Sequence, residues 1–203
     1  MAKQVEFFYD VSSPYAYLAH EEVVRVAAAH GAQVLWRPLL LGGLFKALAS
    51  SIVPFNDASP NKRELFRKDI YRWAEVRNLP LQWPSVFPMN TVRPMRVLAQ
   101  LPGELQSRVA SHLFRQYWAA DQDIGDARVL QAILTSLGLD AEALLAGTEL
   151  PEIKQALISS TQEAFVRGAC GAPTFFVGPH IVWGQDRLEF VGRMLDGWHP
   201  SHG

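Results

Sequence analysis

The spacing of hydrophobic and polar positions changes twice along the chain. The run Val5–Tyr9 is β-branched and aromatic, and residues 33–37 alternate, so each predicts a strand. Between them, from Pro14 to about His30, apolar residues recur at helical spacing, and Gly31 follows as a stop signal. A β-α-β unit with a crossover helix makes its two strands parallel.

The middle of the chain, from about Leu44 to Arg167, has helical periodicity and no convincing strand. Asp126 and Asp140 each stand where a helix would begin and are predicted N-caps. Two long loops, IVPFNDASPN and NLPLQWPSVFPMN, are rich in polar and proline residues and are long enough to line a site. The predicted helices of this segment cover residues 62–77, 91–101, 104–120, 127–137, 141–146 and 151–166.

Strand character returns near the C-terminus. Residues 174–177 (TFFV) and 181–183 (IVW) predict two strands, and the turn between them indicates a hairpin. A last helix is predicted from Arg187 to Trp198, starting after Asp186. The order is the thioredoxin order with a helical insert. We therefore predict an α/β fold with a thioredoxin-like domain (1–43 and 168–203) and an inserted helical domain (44–167).

Composition narrows the functional classes. The 203 residues carry a net charge of -1, so no basic field favours nucleic acid. The longest apolar run is interrupted at Arg37 and Pro38 and is too short for a bilayer, and we expect a cytoplasmic protein without a membrane partner. The histidines show no metal-ligand spacing, so no metal is expected. The single cysteine, Cys170, excludes an intrachain disulfide and is expected to be a small buried side chain.

Ser13 stands at the predicted start of the first helix, directly before Pro14. A serine followed by proline makes a good helix start, so capping alone explains the pair. The same position faces the N–H groups and the positive dipole of a helix end, which attract anions. From the residues alone, Ser13 is either a helix cap or a hydroxyl that faces a ligand.

Three segments resemble the kappa-class glutathione transferases and their relatives, the 2-hydroxychromene-2-carboxylate isomerases. They are FFYDVSSPYAYLA near the N-terminus, GAPTFFV before the predicted third strand, and WGQDRLEF at the start of the last helix. Softer matches, namely GGLFKALA, SPNKREL and LQWPSVFPMNT, favour the isomerases. The resemblance covers essentially the whole chain and implies a thioredoxin-like fold with a helical domain inserted in the middle.

This resemblance implies glutathione as the cofactor. Ser13 would donate its hydroxyl to the glutathione sulfur, and Ala172 with a cis Pro173 would pair with the cysteinyl backbone. The γ-glutamyl end is expected at Gly184, Gln185 and Asp186. This chain has Gln185 where the relatives commonly have Asn or Ser, so whether its side chain contacts glutathione stays open.

For the substrate, the resemblance implies Lys46 and Asn61, with Asn56 as the alternative asparagine of the same loop. The implied function is glutathione-dependent isomerisation of a small aromatic carboxylate by reversible thiolate addition, in a homodimer. Two alternatives stay open: a kappa-like transferase or peroxidase that consumes glutathione, and a non-catalytic thioredoxin-fold protein that binds peptides or partner subunits.

Overall fold

The structure, a computed structural model, describes residues 3–51 and 57–201. Its sheet has four strands in the order β2-β1-β3-β4, so that β1 is a central strand. β1 and β2 are parallel, and β3 runs antiparallel to both β1 and β4. The predicted parallel pair and the predicted hairpin are both confirmed. The strands are β1 (Lys3–Tyr9), β2 (Ala32–Pro38), β3 (Thr174–Val177) and β4 (His180–Trp183).

The predicted helices are all present with ends shifted by a few residues, and one further helix, Leu41–Ala47, was not predicted. Ser13, Asp126 and Asp140 cap three of them, because each side chain accepts a hydrogen bond from a backbone N–H of the first turn. The helices of the described residues are α1 (Pro14–Ala29), α2 (Leu41–Ala47), α3 (Pro60–Val76), α4 (Val92–Ala99), α5 (Gly103–Trp118), α6 (Ala127–Ser136), α7 (Ala141–Gly147), α8 (Pro151–Val166) and α9 (Leu188–Leu195), with a 3-10 turn at Gln185–Arg187.

The two faces of the sheet bury different sets of side chains. Alternation along β1 sends Phe7 toward the face covered by α1 and α9, and Phe8 toward the face covered by α2 and α8. The cluster around Phe7 continues without interruption into α4, α5 and α6, where Leu98, Leu113 and Leu130 are fully buried. The division into a thioredoxin-like domain (1–43 and 168–203) and an inserted helical domain (44–167) stays a prediction.

An ion-pair network joins α8 to the sheet. Arg167 Nη2 lies 2.7 Å from Glu6 on β1, and its Nη1 lies 3.0 Å from Glu163. Arg37 on β2 pairs with the same two carboxylates. The Arg167 guanidinium also lies 3.7 Å from the centroid of the Phe176 ring. The network therefore fastens the last helix of the predicted insert to three strands.

Three details of the sequence prediction are wrong. α3 begins at Pro60 rather than at residue 62, because the Ser59 hydroxyl accepts from Lys62 N–H, so Asn61 lies inside the first turn and caps nothing. The final helix is shorter than predicted: a 3-10 turn replaces its start, and it ends at Leu195, just before Gly197 with a φ of 91°. Cys170 is exposed, because the neighbouring Ala169 takes the inward position.

Some expectations fall on residues that the structure does not describe. Asn56 and the first half of the first long loop lie in 52–56, outside the described residues. Within the described part of the chain, no helix combines the length and apolarity that a bilayer crossing requires. Over the same residues, no three His, Cys, Asp or Glu side chains are grouped closely enough to hold a metal ion.

Candidate functional site

The Ser13 hydroxyl lies at the N-terminus of α1 and is 3% exposed. Its oxygen accepts a hydrogen bond from Ala16 N–H at 3.1 Å, which is the capping contact. It also donates to the carbonyl oxygen of Ala172 at 2.8 Å, across 159 positions of the sequence. The capping interpretation is therefore confirmed, and the role of this hydroxyl toward a ligand stays a prediction.

The Ala172–Pro173 peptide bond is cis, as the resemblance implied. Ala172 is 7% exposed, and its carbonyl oxygen already accepts a hydrogen bond from the Ser13 hydroxyl. Its N–H has no hydrogen-bond partner among residues 3–51 and 57–201. The Pro173 carbonyl accepts from Gly184 N–H at 3.1 Å. This contact brings the start of the WGQDRLEF segment to the proline loop.

The segment after Gly184 is held by an arginine that the sequence did not single out. Arg77, just after α3, donates through Nη2 to the Gln185 carbonyl at 2.6 Å and through Nη1 to the Leu18 carbonyl of α1. Gln185 itself is buried, and its side-chain oxygen has no partner within the described chain. Arg77 therefore ties the 3-10 turn to α1, the helix that carries Ser13.

Asp186 follows in the same turn with an exposed carboxylate. This carboxylate makes no hydrogen bond or ion pair with any other described residue. Burial, and then the negative charges of Asp69 and Asp186, raise the pKa of the Tyr15 phenol. The Asp186 carboxylate therefore lies near the first turn of α1, on the side where Tyr15 projects.

A buried carboxylate, Asp10, organises the loop that leads to Ser13. It is 2% exposed, and its Oδ1 accepts from the N–H and hydroxyl of Ser12 at 2.9 and 2.8 Å, and from Thr91 Oγ1 at 2.8 Å. Its Oδ2 accepts from Leu41 N–H at 2.9 Å. Burial raises the pKa of Asp10, although these four donors oppose that shift. Asp10 is absent from the predicted site residues, although a charged side chain directly after an apolar strand is a visible signal.

Aromatic side chains surround the other side of this loop. The Trp118 indole donates to the Val11 carbonyl at 2.9 Å, two residues before Ser13. Trp83 and Phe87 lie with their ring centroids 5.0 Å apart, and each lies 6.0 Å from Trp118. The second long loop therefore packs its aromatic rings against Trp118, and its role in lining a site stays a prediction.

Lys46 and Asn61, the predicted substrate residues, stand apart from this cluster. Lys46 lies near the end of α2 and Asn61 in the first turn of α3, and both are exposed. Neither side chain makes a hydrogen bond or ion pair with another described residue. The structure thus brings together Ser13, Ala172, Pro173 and Gly184, while the roles of Lys46 and Asn61 stay predictions.

Two surface cavities of the described residues lie elsewhere, on either side of Trp36. One, of about 270 Å³, is lined by residues of α1 and α5, including His20. The other, of about 310 Å³, is lined by residues of β2 and α8. Neither of these two cavities includes Ser13 or Ala172.

The chain is similar to known proteins both in sequence and in fold. The chain is 28% identical over 195 residues to 2-hydroxychromene-2-carboxylate isomerase of Sphingobium xenophagum, covering 96% of this chain and 99% of that protein. It is 26% identical to glutathione S-transferase kappa 1 of Rattus norvegicus, covering 94% and 90%. A solved 2-hydroxychromene-2-carboxylate isomerase has the same fold, with a TM-score of 0.82 at 22% identity and coverage of 95% and 94%.

The family model gives the firmest assignment. The predicted resemblance and the thioredoxin-like fold with a helical insert are confirmed by these comparisons. The model for the DSBA-like thioredoxin domain matches residues 4–196, which is nearly the whole chain. The protein belongs to the DSBA-like thioredoxin domain family.

Proposed function

We propose that this chain is a glutathione-dependent isomerase of the 2-hydroxychromene-2-carboxylate type. The observation that carries the proposal is the 2.8 Å contact between the Ser13 hydroxyl and the Ala172 carbonyl. It places a hydroxyl, a helix N-terminus and a backbone edge beside a cis-proline at one point. Similarity to proteins named as isomerases and kappa glutathione transferases supports the choice of ligand and reaction.

The unpaired polar groups of the site fit glutathione. Ala172 N–H has no partner in the described structure and would pair with the cysteinyl backbone as an added strand does. The unpaired carboxylate of Asp186 would hold the γ-glutamyl ammonium through a charge-assisted hydrogen bond. Tyr15 N–H, in the first turn of α1, also lacks a partner among the described residues and adds a donor for an anion.

Bound glutathione would supply a thiol nucleophile that adds reversibly to a conjugated carbon of the substrate. The role of Ser13 is to hold negative charge on the sulfur, with its hydroxyl as donor and the helix N-terminus as a favourable field. Lys46 and Asn61 would bind the substrate carboxylate and keto oxygen, where charge develops during addition. A small aromatic carboxylate is the substrate class that these roles require.

A kappa-like glutathione transferase is the second candidate, favoured by the similarity to the rat protein. Both activities use the same glutathione site. They differ in the fate of the thiol, because an isomerase returns glutathione whereas a transferase consumes it. The total free thiol, followed during turnover of a chromene carboxylate, therefore distinguishes them.

The test begins with calorimetric titration of glutathione into the wild type. We expect binding, and we expect the ultraviolet absorbance of thiolate in the complex to appear at lower pH than in free glutathione. In Ser13→Ala the absorbance shift is expected to disappear, and turnover of a chromene carboxylate to fall on the order of a hundredfold. Unchanged turnover of Ser13→Ala with saturating glutathione would refute the role of Ser13.

Two further outcomes address the remaining alternatives. If the wild type does not bind glutathione, the enzymatic proposal fails and a non-catalytic protein that binds a peptide or partner subunit takes its place. We also propose a homodimer, which the resemblance implies. Light scattering that gives the mass of one chain would contradict this assembly.

A further inference from the structure

The single proton of the Ser13 hydroxyl is already used in the structure. The hydroxyl donates this proton to Ala172, and its oxygen accepts from Ala16 N–H. A hydroxyl with one proton cannot donate to a sulfur and to a carbonyl in good geometry at once. The proposed role of Ser13 toward a thiolate therefore requires its bond to Ala172 to break.

Breaking that bond alone would leave a buried carbonyl unsatisfied. Ala172 is 7% exposed, and no described donor other than Ser13 contacts its carbonyl oxygen. A buried acceptor without a donor is costly. A replacement donor is thus needed at Ala172 before Ser13 turns away, and the side of Ala172 that also carries the unpaired N–H is where a ligand backbone would supply it.

We propose that Ser13 and the amide N–H of a bound cysteinyl residue exchange places at the Ala172 carbonyl. The ligand N–H takes over the carbonyl, and the Ser13 proton turns to the ligand sulfur while its oxygen keeps the Ala16 contact. The one covalent bond that breaks is the S–H bond of the thiol, whose electron pair stays on the sulfur while the proton leaves to solvent. This inference rests on the proposed glutathione function and deepens it.

A thiol specificity follows from the exchange. In a γ-glutamylcysteinyl peptide the cysteine amine is acylated and carries an amide N–H. This N–H can donate to the Ala172 carbonyl and so frees the Ser13 hydroxyl. A simple thiol such as 2-mercaptoethanol has no such N–H, and the hydroxyl stays on Ala172. The protein therefore activates cysteinyl peptides and leaves small alkyl thiols inactive, independently of how large the rest of the pocket is.

The decisive ligand is S-methylglutathione, which carries the cysteinyl N–H but has no ionisable sulfur. In the wild type its N–H must compete with Ser13 for Ala172, and the displaced hydroxyl gains no thiolate. In Ser13→Ala the carbonyl is open beforehand. We expect Ser13→Ala to bind S-methylglutathione about two- to tenfold more tightly than the wild type, which is the range of a net hydrogen bond. Glutathione itself should bind Ser13→Ala more weakly at alkaline pH, where the thiolate is present.

Two further variants test whether the effect on affinity comes from the Ser13 hydroxyl itself. Ser13→Gly also removes the hydroxyl but caps a helix nearly as well as serine, so it separates the exchange from any loss of α1 stability. Ser136→Ala is the matched control, because the Ser136 hydroxyl donates to the Ile133 carbonyl within α6 and does not touch Ala172. It should leave the affinity for S-methylglutathione unchanged, and a tenfold change in Ser136→Ala would overturn the assignment to Ser13.

The outcomes separate this inference from the proposed function. If both Ser13 variants bind S-methylglutathione equally well or more weakly than the wild type, the exchange is wrong, while glutathione binding by the wild type still stands. If the wild type binds neither glutathione nor S-methylglutathione, the proposed function fails and the exchange fails with it. Tighter binding in both Ser13 variants supports the exchange.

Discussion

His20 makes the stability of this protein depend on pH. The imidazole is fully buried between α1 and α5, its Nδ1 faces the Tyr17 carbonyl, and its Nε2 has no hydrogen-bond partner in the described structure. Burial lowers the pKa of His20 to about 4, and the positive charge of Arg115 acts in the same direction. The Tyr17 carbonyl and Glu21, whose carboxylate lies 3.7 Å from Nε2, oppose the shift without cancelling it.

The direction in which stability changes with pH follows from the pKa of His20 in the folded and unfolded states. An unfolded histidine has its ordinary pKa of 6.5, so as the pH falls the unfolded chain takes up a proton first. The stability associated with neutral His20 is therefore complete above pH 6.5 and is lost progressively as the pH falls toward about 4. At about pH 5 the loss amounts to about 2 kcal/mol. For a chain of this size, that corresponds to a melting temperature lower by about 4–8 °C.

The assay is urea unfolding at about pH 7.5 and about pH 5, with the wild type compared to His20→Gln. Gln is neutral at both pH values. The His20→Gln variant should therefore lose about 2 kcal/mol less unfolding free energy than the wild type between about pH 7.5 and about pH 5, although the variant is less stable at both. His199→Gln, at an exposed position, is the control and should retain the wild-type difference. If the wild type and His20→Gln lose the same free energy of unfolding between the two pH values, the reasoning is wrong.

Three other substitutions test contacts described above. In Asp10→Asn, one carboxylate oxygen becomes an NH₂ group, which is a donor and faces at least one N–H or hydroxyl donor. We therefore expect the free energy of unfolding to fall by about 1–3 kcal/mol, and an unchanged urea midpoint would contradict this. Arg167→Met removes two ion pairs and the contact with Phe176, and we expect a loss of about 1–2 kcal/mol that shrinks in high salt. An equal loss of unfolding free energy at low and high salt would show that the two ion pairs of Arg167 do not contribute. Arg77→Lys cannot span two carbonyls, and hydrogen exchange at the amide of Arg187 should accelerate roughly tenfold, whereas unchanged exchange would show that Arg77 does not hold the turn.

The elements of the fold were predictable because their signals are local. Helical spacing, the stop at Gly31 and the caps Asp126 and Asp140 depend on neighbouring residues, and the structure retains all of them. The start of α3 was less certain because Ser59 and Asn61 both suit a cap, and only the backbone angles of the folded chain choose between them.

The connections within the site were not predictable in the same way. Ser13 and the cis-proline were recognisable as motifs, but their direct hydrogen bond joins residues 159 positions apart. Arg77 reaches carbonyls that are 59 and 108 positions away, and a lone arginine after a helix carries no sign of either. Asp10 is intermediate: its place directly after an apolar strand is a visible but overlooked signal, whereas nothing in the sequence marks its partners Leu41 and Thr91, which are 31 and 81 positions away.

The pairing of β1 with β3 has a consequence for synthesis of the protein. Glu6 and Phe176 are neighbours in the sheet, although 170 positions separate them. At about 5–20 residues per second, a ribosome needs roughly 10–30 s to make the chain between them. During this interval the apolar β1 has only β2 as a possible partner, and Phe8 lacks its ring partner Phe176. The nascent chain therefore presents an aromatic strand that molecular chaperones can bind, and the sheet is completed only after its last hairpin leaves the ribosome.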